Sequence, residues 1–152
     1  MKKRIVAFVC ALLLLGSLSA GAVEGEAARA ADILTTLNLL DTFPDQDLDA
    51  PATRAQAAVL LVELAGAQSA AEHDLWISGF RDVPAWAETA VTYAAHQNWI
   101  SGVTVTTFRP DDPISADGWC TFLLRMLGYS VKEGDFTVSG AAVFAQHIGL
   151  IS

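Results

Sequence analysis

The sequence has few of the residues that form disulfides or hold metals. It contains two cysteines and three histidines in 152 residues. Cys10 lies in an apolar run near the N-terminus that we expect to be removed, so only Cys120 remains and a disulfide within the chain is excluded. Cys120 stands beside Phe122 and Leu123 in a helical pattern, which favours a buried thiol over a thiol that pairs between chains.

The chain also lacks the spacings of a metal or catalytic site. No His-x-x-x-His or Cys-x-x-Cys pattern occurs around His73, His96 or His147. His96 and His147 stand near the ends of predicted helices, where a cation complements the helix dipole. The Asp-rich segment 41–49 lacks the spacing and the glycine of an EF-hand loop. We therefore predict no metal, no cofactor and no catalytic residue, and the sequence does not indicate an enzyme.

Basic residues are scarce, and a third of them lie at the start of the chain. Lys2-Lys3-Arg4 is followed by the apolar run 5–15 and then by the small residues Ala20-Gly21-Ala22. A basic start, an apolar run too short to span a membrane and a small-residue site are typical of a secretory signal peptide. We predict cleavage after Ala22, which leaves no membrane span; an uncleaved anchor is the alternative.

The remaining chain is strongly acidic. Without residues 1–22 it holds 6 Lys and Arg residues against 17 Asp and Glu residues, a net charge of −11. Such a charge repels nucleic acid and anionic lipid, so neither is an expected partner. The same segment is rich in Ala, Leu, Val and Trp, which is enough for a packed core.

One passage occurs twice. Thr53-Arg54-Ala55-Gln56 opens an apolar run that closes at Gly66, and Ser115-Ala116-Asp117-Gly118 opens another that closes at Gly128. We call these two tetrapeptides the first and second opening motifs. Both ends of the passage are offset by 62 positions, and 60–64 lies over 122–126 in the same register. A fixed period indicates repeated units that bury their faces against each other, with function expected in grooves between units.

The hydrophobic spacing of these units is helical. Thr53 and Gln56 form a predicted capping box, and Asp82-Val83-Pro84 is expected to begin a helix with proline in its first turn. The patterns predict helices near 28–37, 53–66, 82–97, 115–127 and 136–151, with a looser connection at 67–79. The fold class is therefore all-α, made of helix–loop–helix units.

Several motifs together resemble the S-layer homology module. They are Phe80-Arg81-Asp82-Val83-Pro84-Ala85-Trp86-Ala87, Ile100-Ser101-Gly102, Phe108-Arg109-Pro110-Asp111 and the first opening motif, Thr53-Arg54-Ala55-Gln56. The resemblance covers nearly all of residues 28–152. It implies a signal peptide (1–22), a linker (23–30), two repeats (31–66 and 80–128) and a partial third repeat (136–152). It also implies a pseudo-threefold bundle whose third unit is incomplete.

The resemblance further implies a function and the residues that carry it. Such modules bind secondary cell-wall polysaccharide, often pyruvylated, between units, and hold surface proteins on bacterial envelopes without covalent attachment. By motif, Arg54, Trp86 and Gly102 match residues usually tied to the sugar. Thr53, Gln56, Asp82 and Ser115 match structural positions, with helix capping expected for Asp82. Ala116 stands where the second opening motif would carry arginine.

The residues alone leave other interpretations open. Arg54 can instead pair with Asp47, Asp49 or Glu88, Trp86 can be a core residue, and Gly102 can serve a turn with a positive φ angle. Two functions therefore remain: an envelope anchor that binds an acidic glycan, and a secreted helical interaction module, or a truncated product, that has lost glycan binding. The incomplete third unit predicts an uncovered apolar patch at Val143, Phe144 and Ile148 that favours self-association.

Overall fold

The computed structural model describes residues 50–151. These residues form α1 (Arg54–Leu64), α2 (Gln68–Glu72), α3 (Ala85–His96), α4 (Ala116–Met126) and α5 (Ala141–His147), with a 3₁₀ helix (Val138–Gly140) before α5. Within this range there is no strand, and Thr53 and Pro113 form an isolated bridge. The predicted all-α class is confirmed for this part. The predicted signal peptide, linker and helix at 28–37 lie outside the described residues.

Helix α1 lies at the centre of the core. The spacing predicts one apolar stripe through Ala57, Leu60 and Leu61, yet Ala58, Val59 and Val62 are buried as well. A helix that is buried on nearly all sides must be covered by several neighbours. The described neighbours of α1 are α3, α4 and α2, and α4 packs in turn against α5.

Both opening motifs begin helices as the sequence predicts. The hydroxyl of Thr53 accepts a hydrogen bond from the N–H of Gln56 at 3.2 Å, and the N–H of Thr53 donates to Oε1 of Gln56 at 2.8 Å, which completes a capping box. The hydroxyl of Ser115 accepts from the N–H of Gly118 at 3.1 Å. Because Gly118 has no side chain to return the bond, the second cap is one-sided.

Four helices end in the same way. The residue after the C-cap is left-handed in each, with φ of 64° at Gly66, 61° at Asn98, 94° at Gly128 and 71° at Gly149. The following residue bonds back across the last turn, as Trp99 N–H does to the Ala94 carbonyl at 2.9 Å and Tyr129 N–H does to the Leu124 carbonyl at 2.9 Å. This is the Schellman ending. It sets the direction in which each loop leaves its helix.

The segments around the two opening motifs contact each other directly. The N–H of Ile114 donates to the carbonyl of Ala52 at 2.9 Å, and these residues are one repeat period apart. The N–H groups of Arg54 and Ala55 donate to the carbonyls of Asp112 and Pro110, both at 2.9 Å. The start of α1 is therefore fixed to the loop that leads into α4. A threefold arrangement would also involve residues 31–49, which are outside the described part.

Three predicted boundaries differ from the structure. Helix α3 begins at Ala85 and not at Asp82, because Pro84 is an extended N-cap with φ −70° and ψ 151°. The predicted helix 136–151 is a 3₁₀ turn followed by the short α5, and it is divided near Gly140, the N-cap of α5. The connection 67–79 contains the short helix α2.

The apolar patch predicted near the end of the chain is only partly as expected. Val143 is 71% exposed and Ile148 is 37% exposed. Phe144, however, packs edge-on against Tyr129 at 5.4 Å between ring centroids and stacks on Phe136 at 6.0 Å. The prediction that Phe144 is part of the exposed patch is therefore wrong, because two neighbouring rings cover it. Of the three predicted residues, Val143 and Ile148 are the exposed ones.

We expect this patch to support weak self-association. Burying Val143 and Ile148 against a second copy would remove apolar surface from water. Val143→Asp should weaken association at least tenfold, or about 1.4 kcal/mol, with little change in stability because the side chain is exposed. Sedimentation velocity across a concentration series measures this. A wild-type protein that stays strictly monomeric at millimolar concentration contradicts the prediction.

Candidate functional site

The candidate site is built around the loop 101–111, and Asp82 holds one end of that loop. Its carboxylate accepts from the N–H of Phe108 at 2.8 Å and from the N–H of Arg109 at 2.8 Å. The predicted helix-capping role of Asp82 is therefore wrong, because its carboxylate is engaged 26 residues away. Burial acts to raise the pKa of Asp82, but the bonds from Phe108 and Arg109 and the charge of Arg54 hold it below its usual value.

Gly102 allows the other end of the loop to approach the body closely. Its φ angle is not in the left-handed region, so the positive-φ interpretation is wrong. A Cβ at this position would collide with the ring of Phe80 and lie 2.5 Å from the Thr104 carbonyl oxygen and 2.7 Å from that of Thr107. Glycine is required because the chain folds back on itself there.

Arg54 ties the two ends of the loop to α1. Its Nε donates to the carbonyl of Phe108 at 3.0 Å, and its Nη2 donates to the carbonyl of Ser101 at 3.0 Å. The guanidinium carbon lies 4.7 Å from the ring centroid of Phe108 and 5.7 Å from that of Phe122. Both rings are buried, so the cation rests on a fixed aromatic base. The structure thus brings two predicted site positions together, Arg54 and the turn at Gly102.

The charge of Arg54 is not neutralised by an ion pair among residues 50–151. Glu88 is not its partner, and the proposed partners Asp47 and Asp49 lie outside the described residues. Burial lowers the pKa of Arg54, with the charges of Asp112 and Asp82 opposing that effect and Arg109 adding to it. The guanidinium group has five N–H donors and uses two of them on carbonyls. Among residues 50–151, the other three donors have no hydrogen-bond partner.

The N-terminus of α1 offers nothing further to an anion. The start of a helix commonly presents free N–H groups that attract an anion. The structure shows the N–H groups of Arg54 and Ala55 bonded to carbonyls of the loop that leads into α4, and that of Gln56 bonded to Thr53. Any anion recognition at this helix start therefore comes from the Arg54 side chain.

Trp86 lies in the first turn of α3, partly buried against the core. Its position agrees with the core interpretation, and a role as a platform for a sugar stays a prediction.

Arg125 is a residue that the sequence reasoning missed. It lies in the last turn of α4, where its Nη1 donates to the hydroxyl of Ser101 at 3.2 Å. Ser101 therefore accepts one hydrogen bond from Arg54 on its carbonyl oxygen and one from Arg125 on its hydroxyl oxygen. Beside them is a groove of about 470 Å³ whose wall includes Asn98, Ser101, Arg125, Tyr129 and Lys132. The only signal in the sequence is that Arg125 replaces Glu63 in the repeat register, which reverses the charge.

The remaining chemistry-bearing groups have local roles. Cys120 is fully buried, as predicted, and burial raises the pKa of its thiol to about 12. His96 lies in the last turn of α3 and contacts Asp74 at 2.7 Å. Residues 50–151 contain no cluster of three or more metal-ligating side chains. The helices in this range are all too short or too polar to cross a bilayer.

Residues 79–115 match the family model of the S-layer homology domain. This segment, 37 of the 152 residues, is similar to that family. Domains of this family are non-catalytic modules associated with the cell surface. The matched segment contains Asp82, Trp86, Gly102 and Ser115, whereas Arg54 and Arg125 contact it from outside. The comparison with curated proteins and the comparison with solved structures each returned no match.

We predict that Gly102→Ala lowers the free energy of unfolding by about 1–3 kcal/mol, the usual cost of forcing extra volume into a packed site. The reason is the collision of the new methyl group with Phe80 and two backbone carbonyls. Urea denaturation measures the change. Val103→Ala, at an exposed position in the same loop, is the control. Equal stability of the two variants would show that the close approach is not needed.

We predict that Asp82→Asn makes stability less sensitive to acid. Because the folded pKa of Asp82 is lowered, its contribution is present above the unfolded value of about 3.9 and is lost as the pH falls through the lower folded value. The variant should lose on the order of 1 kcal/mol at pH 7, a modest figure because the carboxylate is exposed. Denaturation at pH 7, 5 and 3 tests this. Asp111→Asn, an exposed neighbour, should behave as wild type; an Asp82→Asn profile parallel to wild type contradicts the prediction.

Proposed function

We propose that this chain is an exported, non-catalytic module that binds an acidic cell-wall polysaccharide and so attaches to the bacterial envelope without a covalent bond. The family match supports a place at the cell surface in general. The observation that carries the finer proposal is the position of Arg54. Its cation is held rigidly against the matched loop, has no ion-pair partner in the described chain and keeps three donors for a ligand.

The chemistry of Arg54 suits a carboxylate on a sugar. A guanidinium group is a planar fork that can donate two parallel hydrogen bonds to a carboxylate, such as that of a uronic acid or a pyruvate ketal. The bonds to Ser101 and Phe108 fix the side chain before the ligand arrives, so little conformational entropy is lost on binding. Its partial burial strengthens the attraction because water screens it less.

Gly102 and Trp86 would support this site in different ways. Gly102 keeps the turn beside Arg54 compact, and no side chain at 102 covers the Ser101 carbonyl region. Trp86 offers an aromatic face of the kind that stacks on the apolar face of a sugar. We therefore expect the glycan to bind near Arg54, in a groove between the first unit and helix α3, which carries Trp86.

A helical interaction module without glycan binding is the second candidate. Ala116 replaces the opening-motif arginine in the second unit, and Val143 is left exposed on α5. The two candidates differ in one property, which is whether the folded protein binds isolated cell wall.

We predict that Arg54→Ala weakens binding to isolated Gram-positive cell wall ten- to a hundred-fold, the effect of losing about 1.5–3 kcal/mol of charge-assisted hydrogen bonds. Ala116→Arg adds a cation at an exposed position in the second opening motif and should strengthen binding. Co-sedimentation with wall measures affinity. Parallel thermal unfolding shows how much of the Arg54→Ala effect comes from loosening the loop.

Arg81→Ala is the matched control, because Arg81 is an exposed arginine within the matched segment. It lowers the positive charge equally and should bind as wild type. Undiminished binding by folded Arg54→Ala would remove Arg54 from the site. A wild-type protein that does not sediment with wall would overturn glycan binding and leave the interaction module.

A further inference from the structure

The groove beside Ser101 and Arg125 differs in charge from the protein as a whole. The chain as a whole carries 17 acidic residues against 9 basic ones. Among the described residues that line this groove, two are basic, Arg125 and Lys132, and none is acidic. The carboxylate of Asp135 lies next to this lining, where it accepts a hydrogen bond from the N–H of Ser130 at 2.8 Å. A locally positive groove on an acidic protein selects for an anion.

The guanidinium group of Arg125 has more hydrogen-bond donors than it has partners among the described residues. Its guanidinium group donates to the neutral hydroxyl of Ser101, and no carboxylate among residues 50–151 forms an ion pair with it. Burial lowers the pKa of Arg125, which means that its cation has lost part of its hydration. The C-terminal end of α4 offsets some of this cost, because a cation there complements the helix dipole. Within the described part of the chain, the other four N–H donors of the guanidinium group make no hydrogen bond.

The rest of the wall suits a polar, ring-shaped ligand. Asn98 and Gln97 contribute amides, Ser130 contributes a hydroxyl, and Tyr129 combines an aromatic ring with a phenol. Asn98 is held in the left-handed conformation by its helix ending, and Tyr129 packs against Phe144, so both positions are fixed by the fold. The volume of about 470 Å³ falls within the usual range of small-ligand sites. Neutral hydrogen-bonding groups around two cations match an acidic sugar better than a bare inorganic ion.

We propose that this groove is a second subsite for a carboxylate-bearing sugar, in which Arg125, aided by Lys132, supplies the cation. That the sugar belongs to a wall polysaccharide rests on the proposed function. That the groove binds an acidic sugar does not. Arg54 donates to the carbonyl of Ser101 and Arg125 donates to its hydroxyl, so a single chain of acidic sugars that reaches Ser101 would lie near both cations. The ligand binds without covalent change.

The direct test is a nuclear magnetic resonance titration of ¹⁵N-labelled protein with methyl β-glucuronide, and with methyl β-glucoside as the neutral counterpart. We expect the glucuronide to shift the amides of Asn98, Ser101 and Tyr129 and the Nε–H of Arg125. The glucoside should bind at least tenfold more weakly. Acetate and inorganic phosphate are the third and fourth probes, and both should also bind at least tenfold more weakly than the glucuronide.

Variants decide which residues act. Arg125→Ala should raise the dissociation constant for the glucuronide at least tenfold, and Lys132→Glu, at an exposed position that does not threaten the fold, should raise it at least threefold. Arg81→Ala should leave it unchanged. The proposal is overturned if the glucoside, acetate or phosphate binds as tightly as the glucuronide, if the shifts lie outside the groove, or if Lys132→Glu binds as wild type.

Wall co-sedimentation separates this inference from the proposed function. If the wild type does not sediment but the groove binds glucuronide, the anchor proposal fails and the subsite stands. If the wild type sediments and both Arg125→Ala and Lys132→Glu sediment equally well, the subsite fails and the anchor proposal stands.

Discussion

The structure around the site depends on the two hydrogen bonds from Arg54 to the carbonyls of Ser101 and Phe108. They join the start of α1 to a loop that begins 47 residues later and has almost no regular structure of its own. The carboxylate of Asp82 holds the same loop by accepting hydrogen bonds from the N–H groups of Phe108 and Arg109. A cation is a strong hydrogen-bond donor to backbone carbonyls, and a carboxylate is a strong acceptor for backbone N–H groups. The loop is therefore held through its carbonyl groups by Arg54 and through its N–H groups by Asp82.

The two opening motifs lie close together in the structure, and Arg54 of the first one reaches the turn at Ser101 and Gly102. In the proposed function, the site would therefore lie between two units and not within one. The second opening motif has no arginine at Ala116, and α4 instead presents Arg125 at its other end, close to the same turn. Ser101 is thus the point at which cations from two helices meet.

The features of this structure that could be predicted from the sequence depend on interactions between residues that are close together in the chain. The Thr53–Gln56 capping box and the helix ends at Gly66 and Gly128 follow from residues within one turn; the capping box was predicted, and both glycines were predicted to close their apolar runs. The role of Asp82 was mistaken because its partners lie 26 and 27 residues away. Arg125 escaped notice because its significance depends on Ser101 and on a groove formed by separate segments, which no local pattern encodes.

Hydrogen exchange with and without purified acidic wall polysaccharide is the most direct test of glycan binding at Ser101, because it locates the ligand without any substitution. If cations from two helices bind the glycan there, bound polysaccharide should slow amide exchange at least tenfold at residues 97–102 and 125–132, on either side of Ser101. Exchange around the exposed segment 74–79 should stay unchanged. Slowing confined to that segment, or no slowing near Ser101 while polysaccharide is bound, would contradict the claim that the two cations meet at Ser101 to bind the glycan.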